Sequence, residues 1–170
     1  MKIKMPYFIA EVGVNHEGCI NKAVNMIESA SRAGADAVKF QMYKADELAI
    51  VNSPSYWDTK KEPTESQHKL FSKFDAFDDK AYEHLSNVCK NNNIEFMVTP
   101  FSVDGVSKAK ILCNRIKLAS ADITNIPLLI AAAKSSLPII LSTGASNYEE
   151  IEKAISLIHE TGNKDITLLH

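Results

Sequence analysis

Six short stretches of the chain are apolar almost without interruption: residues 7–12, 37–43, 94–99, 115–118, 138–142 and 166–169. A strand with one wet face alternates apolar and polar side chains, whereas a strand covered on both faces reads as a continuous run. The six runs therefore predict buried strands. Between them apolar residues recur at helical spacing, as in Ala23, Ile27 and Ala30, then Ala81, Leu85, Val88 and Cys89, then Ile151, Ala154, Ile155 and Ile158. Such spacing gathers them on one face of a helix. Helix boundaries are marked as well. Asn21 is read as the cap of the first helix, which ends at Gly34. Asp78 or Asp79 opens the second, and Asn125 caps a later one with Pro127 in its first turn. Ser146 with Glu149 is read as a capping box, and Gly162 closes that last helix.

Strict alternation of strand and helix implies right-handed parallel crossovers. A doubly wound sheet and a barrel both satisfy this. No G-x-G-x-x-G follows any of the runs, which weakens a dinucleotide-binding sheet. The expectation is an α/β fold of the (β/α)8 TIM-barrel type. A closed barrel takes eight strands and typically about 250 residues. Residues 1–170 therefore read as the N-terminal part of one barrel domain, incomplete, with about six strands. One connection departs from the pattern. Residues 44–77 separate the second strand from its helix, where about 2–6 residues are usual. With Tyr56, Trp57, Phe71, Phe74 and Phe77 it is too aromatic for a linker, and we read it as an ordered excursion over the barrel mouth.

In such barrels the C-terminal ends of the strands carry the chemistry. Here polar residues collect at those ends: Glu11 to Gly18 after the first, Lys39 and Gln41 in the second, Thr99 and Ser102 at the third. Lys117, Ser120 and Asp122 follow at the fourth, and Ser142 and Thr143 at the fifth. Lys39 and Lys117 interrupt apolar runs, and a buried ammonium is costly unless paired. Two of them facing one cavity suit a multiply charged anion; the alternative is that one or both point outward or pair with Glu11 or Asp122. Thr99, Ser120, Ser142 and Thr143 are hydroxyl donors suited to phosphate or carboxylate oxygens, whereas Ser102 fits a helix cap better. Glu11 and Asp122 are candidate acids or bases, and Asp122 alternatively caps or turns the chain. His16 lies in a loop at the mouth, in reach of the site. His68, His84 and His159 form no metal-ligand spacing with it.

Composition narrows the partners. Apolar residues make up 45% and charged residues 24%, with a net charge of −2. These values fit an ordinary globular domain without the basic field that nucleic acid requires. No run approaches the roughly 18–20 apolar residues of a membrane span. Residues 1–6 are basic, but the apolar run after Pro6 is broken by Glu11, so a secretory signal is not expected. Cys19, Cys89 and Cys113 make no C-x-x-C pair, which argues against a zinc site or disulfide framework and for a reduced, cytoplasmic compartment.

Taken in order, the strand-end segments resemble the sialic acid synthase family. They are Ile9-Ala10-Glu11-Val12-Gly13-Val14-Asn15-His16-Glu17-Gly18, Ala33-Gly34-Ala35-Asp36-Ala37-Val38-Lys39-Phe40-Gln41 and Thr99-Pro100-Phe101-Ser102. Lys117-Leu118-Ala119-Ser120-Ala121-Asp122-Ile123-Thr124-Asn125 and Pro138-Ile139-Ile140-Leu141-Ser142-Thr143-Gly144 complete the set. The resemblance implies a transferase that condenses phosphoenolpyruvate with N-acetylmannosamine or a related amino sugar, giving a nine-carbon 2-keto acid and phosphate. It implies that Lys39, Thr99, Lys117, Ser120 and Ser142 bind phosphoenolpyruvate. Glu11 and Gln41 are implied on the sugar side. Asp122, in the place of an acidic residue near the reacting centre, is implied as catalytic with Glu11. Relatives often carry glycine before that acid, or glutamate in its place, where this chain has Ala121-Asp122.

The family also uses a divalent metal, manganese or magnesium, held by histidines of later strands. It uses an Asn-x-Tyr segment beyond the sixth strand, and a C-terminal antifreeze-like domain that completes a homodimer. None of these falls within residues 1–170, so no metal ligand is expected here and the chain alone is expected to have little synthase activity. Two other readings remain: an inactive fragment or small-molecule-binding or assembly partner, and another phosphoenolpyruvate-dependent aldol-type synthase. The segment order argues against the latter.

Overall fold

The computed structural model describes residues 6–170; the reading of residues 1–5 as no part of a secretory signal lies outside the described residues. Six strands alternate with helices: β1 Ile9–Gly13, α1 Ile20–Arg32, β2 Ala37–Met42, α4 Asp79–Asn91, β3 Glu95–Pro100, α5 Val103–Leu112, β4 Ile116–Leu118, α6 Ile126–Lys134, β5 Ile139–Ser142, α7 Tyr148–Glu160 and β6 Ile166–Leu169. Two short helices, α2 Ala45–Leu48 and α3 Gln67–Ser72, lie within the long excursion after β2. Every strand pairing is parallel, in the orders β1-β2-β3 and β4-β5-β6. β3 and β4 lie side by side without a ladder between them. At their start Arg115 Nε donates to Glu95 Oε1 at 2.8 Å, and the same guanidinium covers the Tyr7 ring at 4.8 Å. The parallel α/β expectation holds; among the described residues the barrel is not closed, and the edges at Tyr7–Phe8 and Leu168–Leu169 are exposed.

The strands are apolar on both faces because two different cores use them. Val38, Phe40, Phe96, Val98, Ile116, Leu118, Ile139 and Leu141 join Ala23, Ile27, Leu85, Cys89, Leu129 and Ile158 of the helices in one cluster. The intervening residues Ala37, Met97 and Ile140, with Ile9, make a separate small cluster on the opposite face. Since side chains alternate along a strand, that inner face continues toward the C-terminal strand ends through Glu11, Lys39, Gln41, Thr99, Lys117 and Ser142.

Helix starts follow side-chain capping, which satisfies amides that have no partner in the first turn. Asp78, Ser102 and Asn125 accept from the backbone amides of Ala81, Gly105 and Leu128. Two boundaries differ from expectation. The N-cap of α1 is Cys19, with no side-chain bond, and Asn21 lies exposed inside the first turn. The backbone enters α1 from a run of tight turns ending at Glu17 and Gly18, both at positive φ, so the helix begins before Asn21. The capping box of α7 is Asn147 with Glu150, one residue later than Ser146 with Glu149.

Candidate functional site

The inner face at the strand ends is built by register. Glu11, Lys39 and Met97 are cross-strand partners on β1, β2 and β3, and Gln41 is the partner of Thr99. Lys39 is buried; its ammonium donates to Thr99 Oγ1 at 2.9 Å and forms an ion pair with Glu11 Oε2 at 2.8 Å. On β4, Lys117 is the partner of Ile140, so no acid stands beside it. Its ammonium donates to the Leu118 carbonyl at 2.7 Å. Burial, then repulsion from Lys39, pull its pKa down to about 8, against the attraction of Glu11. Two ammoniums thus share one carboxylate, and only the Lys39 side of the pair has it in bonding distance. Among the described residues Lys117 has no carboxylate in bonding distance and stands close enough to Lys39 for repulsion to lower its pKa, an arrangement that favours a negatively charged neighbour.

Apart from Thr99 and Glu11, the candidates make no hydrogen bond or ion pair with these two lysines among the described residues. Gln41 is half-buried; a Cβ built on Gly13 lies 3.9 Å from its Nε2, and its carbonyl accepts from the Tyr82 hydroxyl at 3.0 Å. Ser120 begins a single 3-10 turn, Ser120–Asp122, directly after β4, and Ser142 ends β5; both are half-buried. Asp122 Oδ1 accepts weakly from Asn125 Nδ2 at 3.4 Å, while Oδ2 is buried with no partner among the described residues. Burial holds its carboxyl above the usual carboxylate range. Thr143 is not a free donor, because its hydroxyl donates to the Leu169 carbonyl at 3.0 Å and ties β5 to β6. Ser102 is the α5 cap.

His16 does not reach the lysines. It is buried, stacked on Phe77 with ring centroids 4.2 Å apart, and its Nδ1 accepts from the Gly18 amide at 3.1 Å. Burial lowers its pKa, consistent with a neutral ring. It therefore packs the excursion onto the β1–α1 loop. Lys44 supports the same junction by donating to the carbonyls of Asp75 and Phe77 at 2.7 and 3.0 Å. Tyr43, Phe71 and Phe101 meet edge to face over the ends of β2 and β3. The excursion is thus ordered, as read from its aromatics. Sequence reasoning missed Tyr82 and Lys44; the position of Lys44 one residue beyond an apolar strand was the available signal for the latter.

A cavity of about 620 Å³ lies elsewhere, along the exposed edge of β6 between Thr143, Tyr148, Ile151 and His170. It reflects an uncovered sheet edge more than a built site, since its lining brings no charged pair together. Among the described residues no three His, Cys, Asp or Glu side chains converge to hold a metal ion. No helix among them is long and apolar enough to cross a membrane.

The chain is 40% identical over 173 residues to N,N'-diacetyllegionaminic acid synthase of Campylobacter jejuni, a match covering 99% of this chain and 52% of that protein. It is 33% identical over 172 residues to N-acetylneuraminate-9-phosphate synthase of Drosophila melanogaster, covering 96% and 44%. The fold matches the crystal structure of N-acetylneuraminic acid (sialic acid) synthetase from Leptospira borgpetersenii in complex with citrate. There the TM-score is 0.83 and the identity 35%, over 98% of this chain and 54% of that one. The chain spans about half the length of the curated relatives it matches. The sequence model of the NeuB family matches residues 26–170, from within α1 to the end of β6, and the chain belongs to the NeuB family.

Proposed function

We propose that this chain supplies the phosphoenolpyruvate-binding face of a sialic-acid-type synthase. The enzyme joins phosphoenolpyruvate to N-acetylmannosamine or a related amino sugar. The observation that carries this reading is the pair of buried ammoniums, Lys39 and Lys117, on one inner face with one carboxylate, Glu11, in ion-pair distance of Lys39 alone. Phosphoenolpyruvate brings both a phosphate and a carboxylate, which matches that surplus of positive charge. Relatives named for legionaminic acid and N-acetylneuraminate 9-phosphate synthesis support a sugar-acid product.

In this reading Lys39, Thr99, Lys117, Ser120 and Ser142 hold the anionic substrate, while Glu11 and Gln41 meet the sugar. The enol carbon of phosphoenolpyruvate attacks the open-chain aldehyde and a C–C bond forms. Water adds to the neighbouring enol carbon, and phosphate departs with cleavage of the C–O bond. The attacking water gives up both its protons as its oxygen becomes the keto oxygen; one is balanced by the proton the aldehyde oxygen gains, the other by the proton the departing phosphate carries away. Asp122, whose burial favours the protonated carboxyl and whose Oδ2 has no partner, is suited to handle one of these protons.

The test is product formation by the protein at its natural length. Incubated with phosphoenolpyruvate, manganese and a panel of amino sugars, it should release phosphate and a 2-keto acid in equal amounts with at least one sugar. Phosphate release without a sugar, or none with any sugar, would contradict the reading.

A further inference from the structure

The end of β2, the central strand of its three, is held differently on its two flanks. Up to Phe40 it pairs with β1 on one side and β3 on the other. The β1 pairing slips at Gly13, whose φ is +57°, and stops at Phe40, while the β3 pairing runs on through Gln41 and Met42. Successive carbonyls along a strand point to opposite flanks. The Met42 carbonyl accepts from the Phe101 amide at 3.1 Å, on the β3 flank. The Gln41 carbonyl therefore points to the β1 flank, just past the last β1 partner, where a covered carbonyl needs another donor. The Tyr82 hydroxyl, near the start of α4, supplies it at 3.0 Å. Tyr82 is itself fixed. It is buried, its ring meets Phe77 edge to face with centroids 5.9 Å apart, and Phe77 stacks on His16 of the β1–α1 loop. Burial pushes the phenol above its ordinary pKa, so it stays a donor.

We propose that Tyr82 is a positioning residue for the amino sugar: its hydroxyl fixes the backbone at Gln41 and so aims the Gln41 side-chain amide at the mouth. This rests on the reading of Gln41 as a sugar contact and deepens it. By strand alternation the Gln41 side chain shares the inner face with Lys39, two residues back, and its Nε2 lies 3.9 Å from the place of a Gly13 Cβ. An amide both donates and accepts. Its fit to a hydroxyl or acylamino group of the sugar therefore depends on orientation, and a small misplacement is costly. Lys39 is insulated from the same change, because it is paired on both flanks, with Glu11 on β1 and Met97 on β3. Loss of the Tyr82 hydroxyl thus acts on the sugar and spares phosphoenolpyruvate.

Kinetics and calorimetry on the protein at its natural length test this, with the amino sugar that turns over in the panel above. Tyr82→Phe keeps the ring and removes only the donor. The expected result is a KM for the sugar raised about three- to tenfold, with phosphoenolpyruvate affinity within about twofold of wild type and kcat little changed. Gln41→Ala should raise the same KM, and Tyr82→Phe should add nothing further on that background, because both act through one amide. A crystal structure of the wild type with the sugar reads the contact without a variant: the Gln41 amide on the sugar and the Tyr82 hydroxyl on the Gln41 carbonyl. An unchanged sugar KM in Tyr82→Phe, an equal loss of phosphoenolpyruvate affinity, additive effects in the double variant, or Tyr82 turned away from Gln41 in the complex would overturn the proposal while leaving Gln41 at the sugar. An unchanged sugar KM in Gln41→Ala would overturn the sugar-side reading and the positioning together.

Discussion

Lys117 holds its proton less firmly than an ordinary lysine. Its pKa lies at about 8 instead of 10.5, through burial first and Lys39 second. Because the folded value is depressed, the charged form is disfavoured by folding. That penalty is fully present below about pH 8 and is relieved as pH rises from about 8 toward 10.5. A bound phosphate reverses the balance and pushes the pKa back up. Phosphoenolpyruvate binding near pH 8 should therefore take up about half a proton per site, and affinity should fall as pH rises through 8. Calorimetry in buffers of different ionisation enthalpy measures the uptake; equal heats in all buffers would contradict it. The presence of two unusual lysines was legible in the sequence, because a cation inside an apolar run has few harmless explanations. Which of them is paired was not. That depends on strand neighbours: Glu11 is set beside Lys39 by the β1–β2 register, while Lys117 is set beside Ile140. Asp122 was equally ambiguous between cap and site residue. It does not cap α6, because Asn125 does so.

At the scale of elements, the sequence suggests a capping box of Ser146 with Glu149 at α7, and the structure forms it one residue later. Asn147 accepts from the Glu150 amide at 3.0 Å, and the Glu150 carboxylate accepts from the Asn147 amide at 2.9 Å. Ser146 Oγ is buried without a partner among the described residues. Asn147→Ala should therefore cost about 1 kcal/mol, while Ser146→Ala should lie within about 0.5 kcal/mol of wild type. Chemical denaturation of the two variants separates them; the reverse ranking would contradict the assignment. Strands and long helices were readable because burial on one or both faces imposes a period. The excursion was readable only as ordered. Its helices α2 and α3 have 4 and 6 residues, too short to show a period, and its shape depends on distant partners. Among these are the His16–Phe77 stack and the Lys44 contacts to Asp75 and Phe77.

For the whole molecule, the helices form one apolar layer with the outer strand face, and the inner face is left for chemistry. That division was legible as six continuous runs interrupted by lysines at two strands. Closure was not, because which edges meet is a matter of many long-range contacts. Among the described residues the two three-stranded sheets adjoin at β3 and β4 with no ladder, and the clamp of Glu95, Arg115 and Tyr7 spans that seam at the opposite end from the lysines. The proposed cradle draws on both sheets, Lys39 and Thr99 from one and Lys117 from the other, so anion binding there would report on their relative placement. If both lysines bind one anion, calorimetric titration of phosphoenolpyruvate into the wild-type protein at its natural length and into Lys39→Ala and Lys117→Ala should show it. Each variant should bind about ten- to a hundredfold more weakly, as expected for loss of a charge-assisted contact. Unchanged affinity in both variants would contradict it.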